Sequence, residues 1–350
     1  MKGFGIILVI MGHALQGNPQ FDENFAFRII YSFHMPLFFF ISGYLLQVSL
    51  EKHPLAPISF VLKKARTLVV PFLSWYLIFG VWTGMASNVS WHEYVHRLIY
   101  SPDFGYWFLW VLFLCFAAIL PVAWLQQRID PRWRPGLIAL SWLTLYLLRQ
   151  THTGFLGLHL LKVDYFYFAV GFFICCWRKQ LSFFQRWWPE ICVVGFLLLV
   201  PYWRRVGEMP FMPYLRENFP AKAEILRDTF EYSLALMGIG CVAQIVKALL
   251  SGPIGRWLAW IGTYTLDIYV IHLHTFLFCP FVVILSSHRG DSFGIATAVA
   301  WGIFASLAIS FCLIRRSVIL KFLFLGIHDS RKSDPVAAGR VALGEVGFSS

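Results

Sequence analysis

The chain has 350 residues, of which 58% are hydrophobic and only 13% charged, with a formal net charge of +11. An ordinary soluble domain carries about a quarter charged residues, so this composition excludes a water-soluble globular enzyme and leaves no room for a large soluble domain. Nor does the positive charge mark a nucleic-acid binder, because Lys and Arg stand in short clusters between apolar runs and form no continuous stripe.

Ten apolar windows follow one another: residues 2–16, 27–49, 66–86, 105–126, 134–150, 162–178, 190–206, 228–250, 257–280 and 294–324. Each is read as a crossing of a hydrocarbon core roughly 30 Å thick. An irregular backbone facing lipid leaves peptide groups unsatisfied, so every crossing has to be helical. The predicted fold is therefore all-α, a polytopic integral membrane bundle of about ten transmembrane helices. Lys52, Lys63, Lys64 and Arg66 follow the second window, Arg128, Arg132 and Arg134 the fourth, and Arg178, Lys179 and Arg186 the sixth. Lys247 and Arg256 flank the loop after the eighth. The positive-inside rule puts these loops, and with them both termini, in the cytoplasm. Loop seven, PYWRRVGEMPFMPYLRENFP, sets Arg204, Arg205 and Arg216 among acids and fits that rule less cleanly; its prolines and aromatics read as an ordered external loop. Residues 1–327 make the membrane domain, and 328–350, without apolar periodicity, a disordered cytoplasmic tail. The seven cysteines lie in or beside apolar segments, with no C-x-x-C pair, and read as packing residues. No A-x-A-like site follows the first window, so it is not read as a cleaved signal peptide.

Ionisable rings sit inside these windows. His13 ends the aliphatic run of LVIMGHAL, His34 precedes Met35 and Pro36 in YSFHMPLFFFISGYLL, and His272 lies in TLDIYVIHLH. At a rise of 1.5 Å per residue, His13 and His34 each fall roughly 12 Å below the outer face and His272 about 9 Å below it. A lone intramembrane histidine is accounted for by an interhelical hydrogen bond. Three at one depth, from three helices, predict a shared site.

The string KGFGIILVIMGH, followed by FRIIYSFHMPLFFFISGYLL, resembles the opening of the acyltransferase-3 family of integral membrane acyltransferases. KKARTLVVPFLSWYLIF, YWFLWVLFLC and IGTYTLDIYVIHLH agree with it, so the resemblance covers about residues 2 to 325. It implies a multi-pass protein of the bacterial cytoplasmic (inner) membrane. The implied reaction moves an acyl group, usually acetyl, from cytoplasmic acyl-CoA to a hydroxyl of an extracytoplasmic glycan, such as an exopolysaccharide or a lipid-linked oligosaccharide. Acyl-CoA is then a donor substrate, and no permanently bound cofactor or metal is expected. His13 matches the family's essential histidine, and Lys63 with Arg66 match a basic R-x-x-R element whose first arginine is here lysine, a change that keeps the charge but loses bidentate geometry. Family members usually carry a short polar leader before the K-G of the first span, whereas here Met1 stands directly before Lys2. A first span of about 15 residues is marginal for crossing, so a leader upstream is expected.

A sugar hydroxyl needs a base to take its proton as it attacks a thioester, and imidazole, with an unperturbed pKa near 6.5, suits that task. His13 is assigned as general base, with His34 and His272 orienting it or stabilising the oxyanion; an acetyl-histidine intermediate is the other route. Lys63, Lys64 and Arg66 are expected to form a cytoplasmic mouth for the CoA phosphates, or else to serve as topology charges. Arg128, Arg132 and Arg134 are the alternative mouth. Arg28 and Asp267 are expected to line the substrate path or to form halves of structural ion pairs. Trp107 and the loop-seven aromatics would stack on sugar rings or anchor at the interface.

A competing motif is WHEYVHRL, in which His92, Glu93 and His96 make the H-E-x-x-H of zinc proteases. Its place in a polar loop without a clear third ligand reads instead as an amphipathic surface helix that packs Tyr94, Val95, Leu98 and Ile99 onto the bundle. A polysaccharide transporter or flippase is the third class compatible with the topology.

Overall fold

The computed structural model describes residues 1–18, 20–87, 90–100, 105–151, 154–181, 187–277 and 292–328. The tail from 329 onward, Arg186, Cys279 and the Asn88 and Pro102 borders of the third loop lie outside the described residues. No strand occurs among the described residues. The helices run α1 (Lys2–Gln16), α2 (Phe25–Tyr31), α3 (His34–Lys52), α4 (Pro57–Lys64), α5 (Val70–Ser87), α6 (Trp91–Tyr100), α7 (Trp107–Gln126) and α8 (Gly136–Arg149). They continue as α9 (Leu158–Cys176), α10 (Trp188–Leu199), α11 (Met212–Asn218), α12 (Ala223–Leu249), α13 (Pro253–Thr263), α14 (Thr265–Leu277), α15 (Ser292–Cys312) and α16 (Val318–Leu325).

Among the described residues, five stretches are long and apolar enough to cross a membrane: Phe25–Lys52, Trp107–Gln126, Phe155–Cys176, Ala223–Leu249 and Ser292–Arg316. Lys2–Gln16, Gly136–Arg149 and Trp188–Tyr202 are apolar but shorter.

Several windows that read as one helix are broken, and the breaks have local causes. Between α2 and α3 the backbone leaves helical geometry at Phe33, with φ −145° and ψ −10°. Pro36 explains this, since its ring clashes with the carbonyl four residues back, at Ser32, and it brings no N–H of its own. Ser32 Oγ donates to Ile29 O at 2.9 Å, and the imidazole of His34 bonds Ile30 O at 3.0 Å, so side chains close the end of α2. The same effect recurs at Pro71, where the turn Ala65–Val69 widens to a π-helix between α4 and α5. Thr67 Oγ1 donates there to Lys63 O at 3.0 Å. Window nine divides at Tyr264 into α13 and α14. Window ten divides at the turn Ile314–Arg316, which holds its two arginines.

Without a hydrophobic drive between helices in lipid, close approach depends on small residues. A Cβ on Gly43 of α3 would lie 1.9 Å from Phe168 O of α9, and one on Gly171 of α9 would lie 2.0 Å from Phe40 O of α3. The two helices therefore touch backbone to backbone, with Phe39, Phe168 and Phe172 buried around the crossing. Gly326, at φ +64°, ends α16 against the π turn, where a Cβ would meet Arg66 O at 2.5 Å. Trp75 Nε1 donates to Phe324 O at 3.1 Å and fixes that contact.

Candidate active site

The break before His34 places this ring at the start of α3, facing the end of α1. His13 and His272 come within 5.3 Å, centroid to centroid. Tyr31, the last residue of α2, links the third ring to this pair, 6.5 Å from His13 and 4.5 Å from His34. Three histidines from positions 13, 34 and 272 thus share one site. Tyr31 Oη donates to Gln16 Oε1 at 2.7 Å, and Gln16 lies one turn beyond His13, in reach of it.

The rings differ in access. His34 and His272 are buried, at 3% and 0% exposure, whereas His13 is only half-buried. Nδ1 of His34 bonds Ile30 O at 3.0 Å, and Nδ1 of His272 bonds Ile268 O and Tyr269 O at 3.0 and 2.8 Å. A carbonyl only accepts, so these partners assign the hydrogen to Nδ1 and leave Nε2 as the basic nitrogen of each neutral ring.

A cavity of about 370 Å³ ends about one turn short of this cluster: Val9, Met35 and Tyr269 line it, and none of the three histidines does. On α1 it is lined by Lys2, Ile6 and Val9, a spacing of four and three that keeps one helical face, and His13 is the next position on that face. On α14, Thr265 and Tyr269 line it and His272 continues their face; on α3, Phe38, Ser42, Leu45 and Ser49 lie on the face that begins at His34. Phe108, Leu112 and Phe116 of α7 close the apolar wall. Lys2 and Lys64 stand at the far end, about 16 Å along α1 from His13. The Lys64 ammonium sits over the Phe116 ring, 3.7 Å from its centroid.

The basic cluster expected at the donor mouth is divided. Lys64 lines this cavity, whereas Lys63 and Arg66 line a separate shallow depression with Ala56, Ser59 and Leu62. Arg128 stacks on Trp124 at 3.9 Å, Arg132 pairs with Asp130 at 3.6 Å, and neither they nor Arg134 line the cavity.

The two charged residues expected along the path are both partnered. Arg28 is buried and donates to Asp22 O at 2.7 Å and Glu23 Oε2 at 2.5 Å. Asp267 accepts from Arg315 at 2.7 and 3.0 Å and from the Ser310 hydroxyl, tying α14 to the end of α15. Trp107 stacks on Phe39 at 6.3 Å. The H-E-x-x-H residues lie on exposed α6, with Glu93 bound to Arg97 at 2.5 Å and His96 stacked on Tyr100 at 4.6 Å. Tyr94 is buried against Tyr76, and Val95, Leu98 and Ile99 are half-buried. Among the described residues no group of three His, Cys, Asp or Glu is placed to hold a metal.

Loop seven packs against Tyr31, with the Arg205 guanidinium 4.4 Å from its ring centroid. Asp22, in the turn before α2, accepts from the backbone N–H groups of Arg205, Val206 and Gly207 at 2.9, 3.3 and 3.0 Å. Burial by itself would raise its carboxyl, but those three donors and the Arg204 charge hold it below the ordinary carboxylate range.

The acyltransferase domain family matches residues 1–315. The chain belongs to the acyltransferase-3 family. It is an acyltransferase, and with helices of this length and apolarity an integral membrane protein. Among curated relatives it is 24% identical over 337 residues to nodulation protein NolL of Sinorhizobium fredii, covering 86% of each chain. It is 23% identical over 285 residues to nodulation protein NolL of Mesorhizobium japonicum, covering 77% of this chain and 73% of that one. No solved structure matches.

Lys2, Gln16 and Tyr31 were not among the residues expected from the sequence. Each had a readable signal: Lys2 shares the helical face of His13, Gln16 stands three residues after it, and Tyr31 stands three before His34.

Proposed function

We propose that this protein transfers an acyl group, acetyl by family default, from cytoplasmic acyl-CoA to a hydroxyl of an extracytoplasmic glycan, in the cytoplasmic membrane of a bacterium. The observation that carries the reading is an apolar cavity lined by Lys2 and Lys64, whose helical faces on α1, α3 and α14 continue to three clustered imidazoles. A CoA thioester needs both: cations for its phosphates and a dry passage for the uncharged pantetheine arm. We place ten crossings with both termini in the cytoplasm, so that Lys2 and Lys64 face the donor. An exopolysaccharide or lipid-linked oligosaccharide arrives from the other side.

In this reading His13, the accessible ring, takes the proton of the glycan hydroxyl as oxygen attacks the thioester carbonyl. The oxyanion forms against the first turn of α3, where helix N–H groups and their dipole favour negative charge. Collapse of the tetrahedral intermediate breaks the C–S bond, and the imidazolium returns its proton to the leaving thiolate. His272 and Gln16 orient the His13 ring, and His34 stands beside the oxyanion. Lys63 and Arg66 act on the adenosine phosphates from the neighbouring depression, or serve topology alone. No nucleic acid is engaged.

The test is transfer of labelled acetyl from acetyl-CoA by the purified protein in lipid. His13→Ala is expected to lose at least about 100-fold in rate with acetyl-CoA binding kept. Retention of more than about a tenth of the rate removes the base assignment. Absence of transfer by the unaltered protein, with export of an unmodified glycan, would favour the transporter class.

A further inference from the structure

Loop seven holds more arginine than the positive-inside rule allows an external loop, and the structure accounts for most of it. Arg204 donates to Pro201 O and Trp203 O at 2.7 and 2.9 Å, and Arg216 pairs with Glu208 and Glu224. Arg205 differs. Its guanidinium lies 4.4 Å from the centroid of the Tyr31 ring and, among the described residues, meets no carboxylate. It is exposed, yet its charge is near enough to act on both His13 and His34. The backbone beneath it is fixed: Asp22, 183 residues away in the chain, accepts three consecutive N–H groups beginning at Arg205 itself. Arg28 fastens the same junction by donating to Asp22 O and Pro201 O.

Arg205 lies against Tyr31 and does not line the cavity that holds Lys2 and Lys64, so it is not placed to meet the donor phosphates there. In the acyltransferase reading, a hydroxyl reaches His13 from the loop-seven side, where Arg205 is exposed. Its planar fork offers several N–H donors in fixed geometry, which suits the paired oxygens of a sugar or of an acidic sugar substituent. Stacking on Tyr31 limits the rotamer entropy lost when such a group is bound.

We propose that Arg205 recognises the acceptor glycan, donating to its oxygens at the loop-seven side of the site, with Asp22 as the positioning residue that sets the height and direction of the guanidinium. This rests on the acyltransferase reading above, and adds to it an acceptor subsite with named residues.

The experiment uses the purified full chain in lipid with labelled acetyl-CoA. The acceptor probe is exopolysaccharide of the producing strain, stripped of its esters by mild base. Arg205→Gln is expected to raise the acceptor KM tenfold or more while the acetyl-CoA KM moves less than twofold. Arg205→Lys, which keeps the charge but not the fork, should recover part of that loss. Asp22→Asn should raise the acceptor KM several-fold in the same selective manner. Equal acceptor KM in Arg205→Gln and the unaltered protein overturns the proposal, as does a parallel rise in both KM values. So does a fall in kcat with both KM values unchanged, which would put the guanidinium on the oxyanion. If the unaltered protein transfers nothing to the stripped glycan, the acyltransferase reading onto such glycans fails first, and this proposal with it.

Discussion

Two sets of histidines lie in this molecule, and they are organised in opposite ways. His92 and His96 are four residues apart on α6, close in sequence and matching a catalytic signature, yet both are exposed, and His96 is stacked on Tyr100. His13, His34 and His272 span most of the chain, each in a different family-like motif, and meet within one cluster of rings about one turn beyond the lining of a cavity. Spacing along one helix brings two ligands to one face cheaply, but a site also needs a closed volume, and no residue of α6 lines the cavities described above. Burial in a bilayer works the other way. A polar ring there costs free energy unless partnered, so its depth is constrained, and rings at one depth on neighbouring helices find one another.

The contrast breaks most sharply under paired substitution. His13→Asn is expected to lower acyl transfer by at least about 100-fold, while His92→Asn and His96→Asn stay within about twofold; rates of the three purified proteins in lipid check it. Next in size is the frame on which His34 stands. Gly43→Ala puts a methyl against a backbone carbonyl of α9, and overpacking of this kind costs about 1 to 3 kcal/mol. Thermal unfolding in detergent should shift downward, and an unchanged melting temperature would mean that the α3–α9 contact is looser than described. The lysine end comes third. Lys2→Gln with Lys64→Gln should raise the acetyl-CoA KM about tenfold or more, since charge-assisted bonds are worth about 1.5 to 3 kcal/mol each. Lys63→Gln with Arg66→Gln should raise it less, because those two line another depression. The smallest effect is at α6: Glu93→Gln removes an exposed i,i+4 pair worth about 0.3 to 0.5 kcal/mol and should leave transfer unchanged.

The all-helical membrane fold and the convergence of the three histidines were legible in the sequence, because hydropathy sets length and helical rise sets depth. The breaks were less so. Pro36 and Pro71 are visible in the sequence, but whether a proline kinks, breaks or widens a membrane helix is decided by which groups re-satisfy the freed backbone. At Ser32 these are the Ser32 hydroxyl and the His34 ring; at Thr67 a π turn backed by Gly326. The division of Lys63 from Lys64 follows from a turn of about 100° between adjacent residues, which sends consecutive side chains to different faces. Choosing between those faces required the neighbours. Asp22 and Arg205 were out of reach altogether, since nothing local ties a turn after the first helix to the seventh loop.

The central claim is that the cavity lined by Lys2 and Lys64 carries the acyl donor toward the histidines. Its most direct test is thiol labelling of Ser42→Cys, midway along the cavity, in protein otherwise free of cysteine, with Ser59→Cys in the neighbouring depression for comparison. The account predicts that acetyl-CoA slows maleimide labelling at position 42 tenfold or more and leaves position 59 within about twofold, each with activity retained. Unchanged labelling at 42, or protection confined to 59, would contradict it.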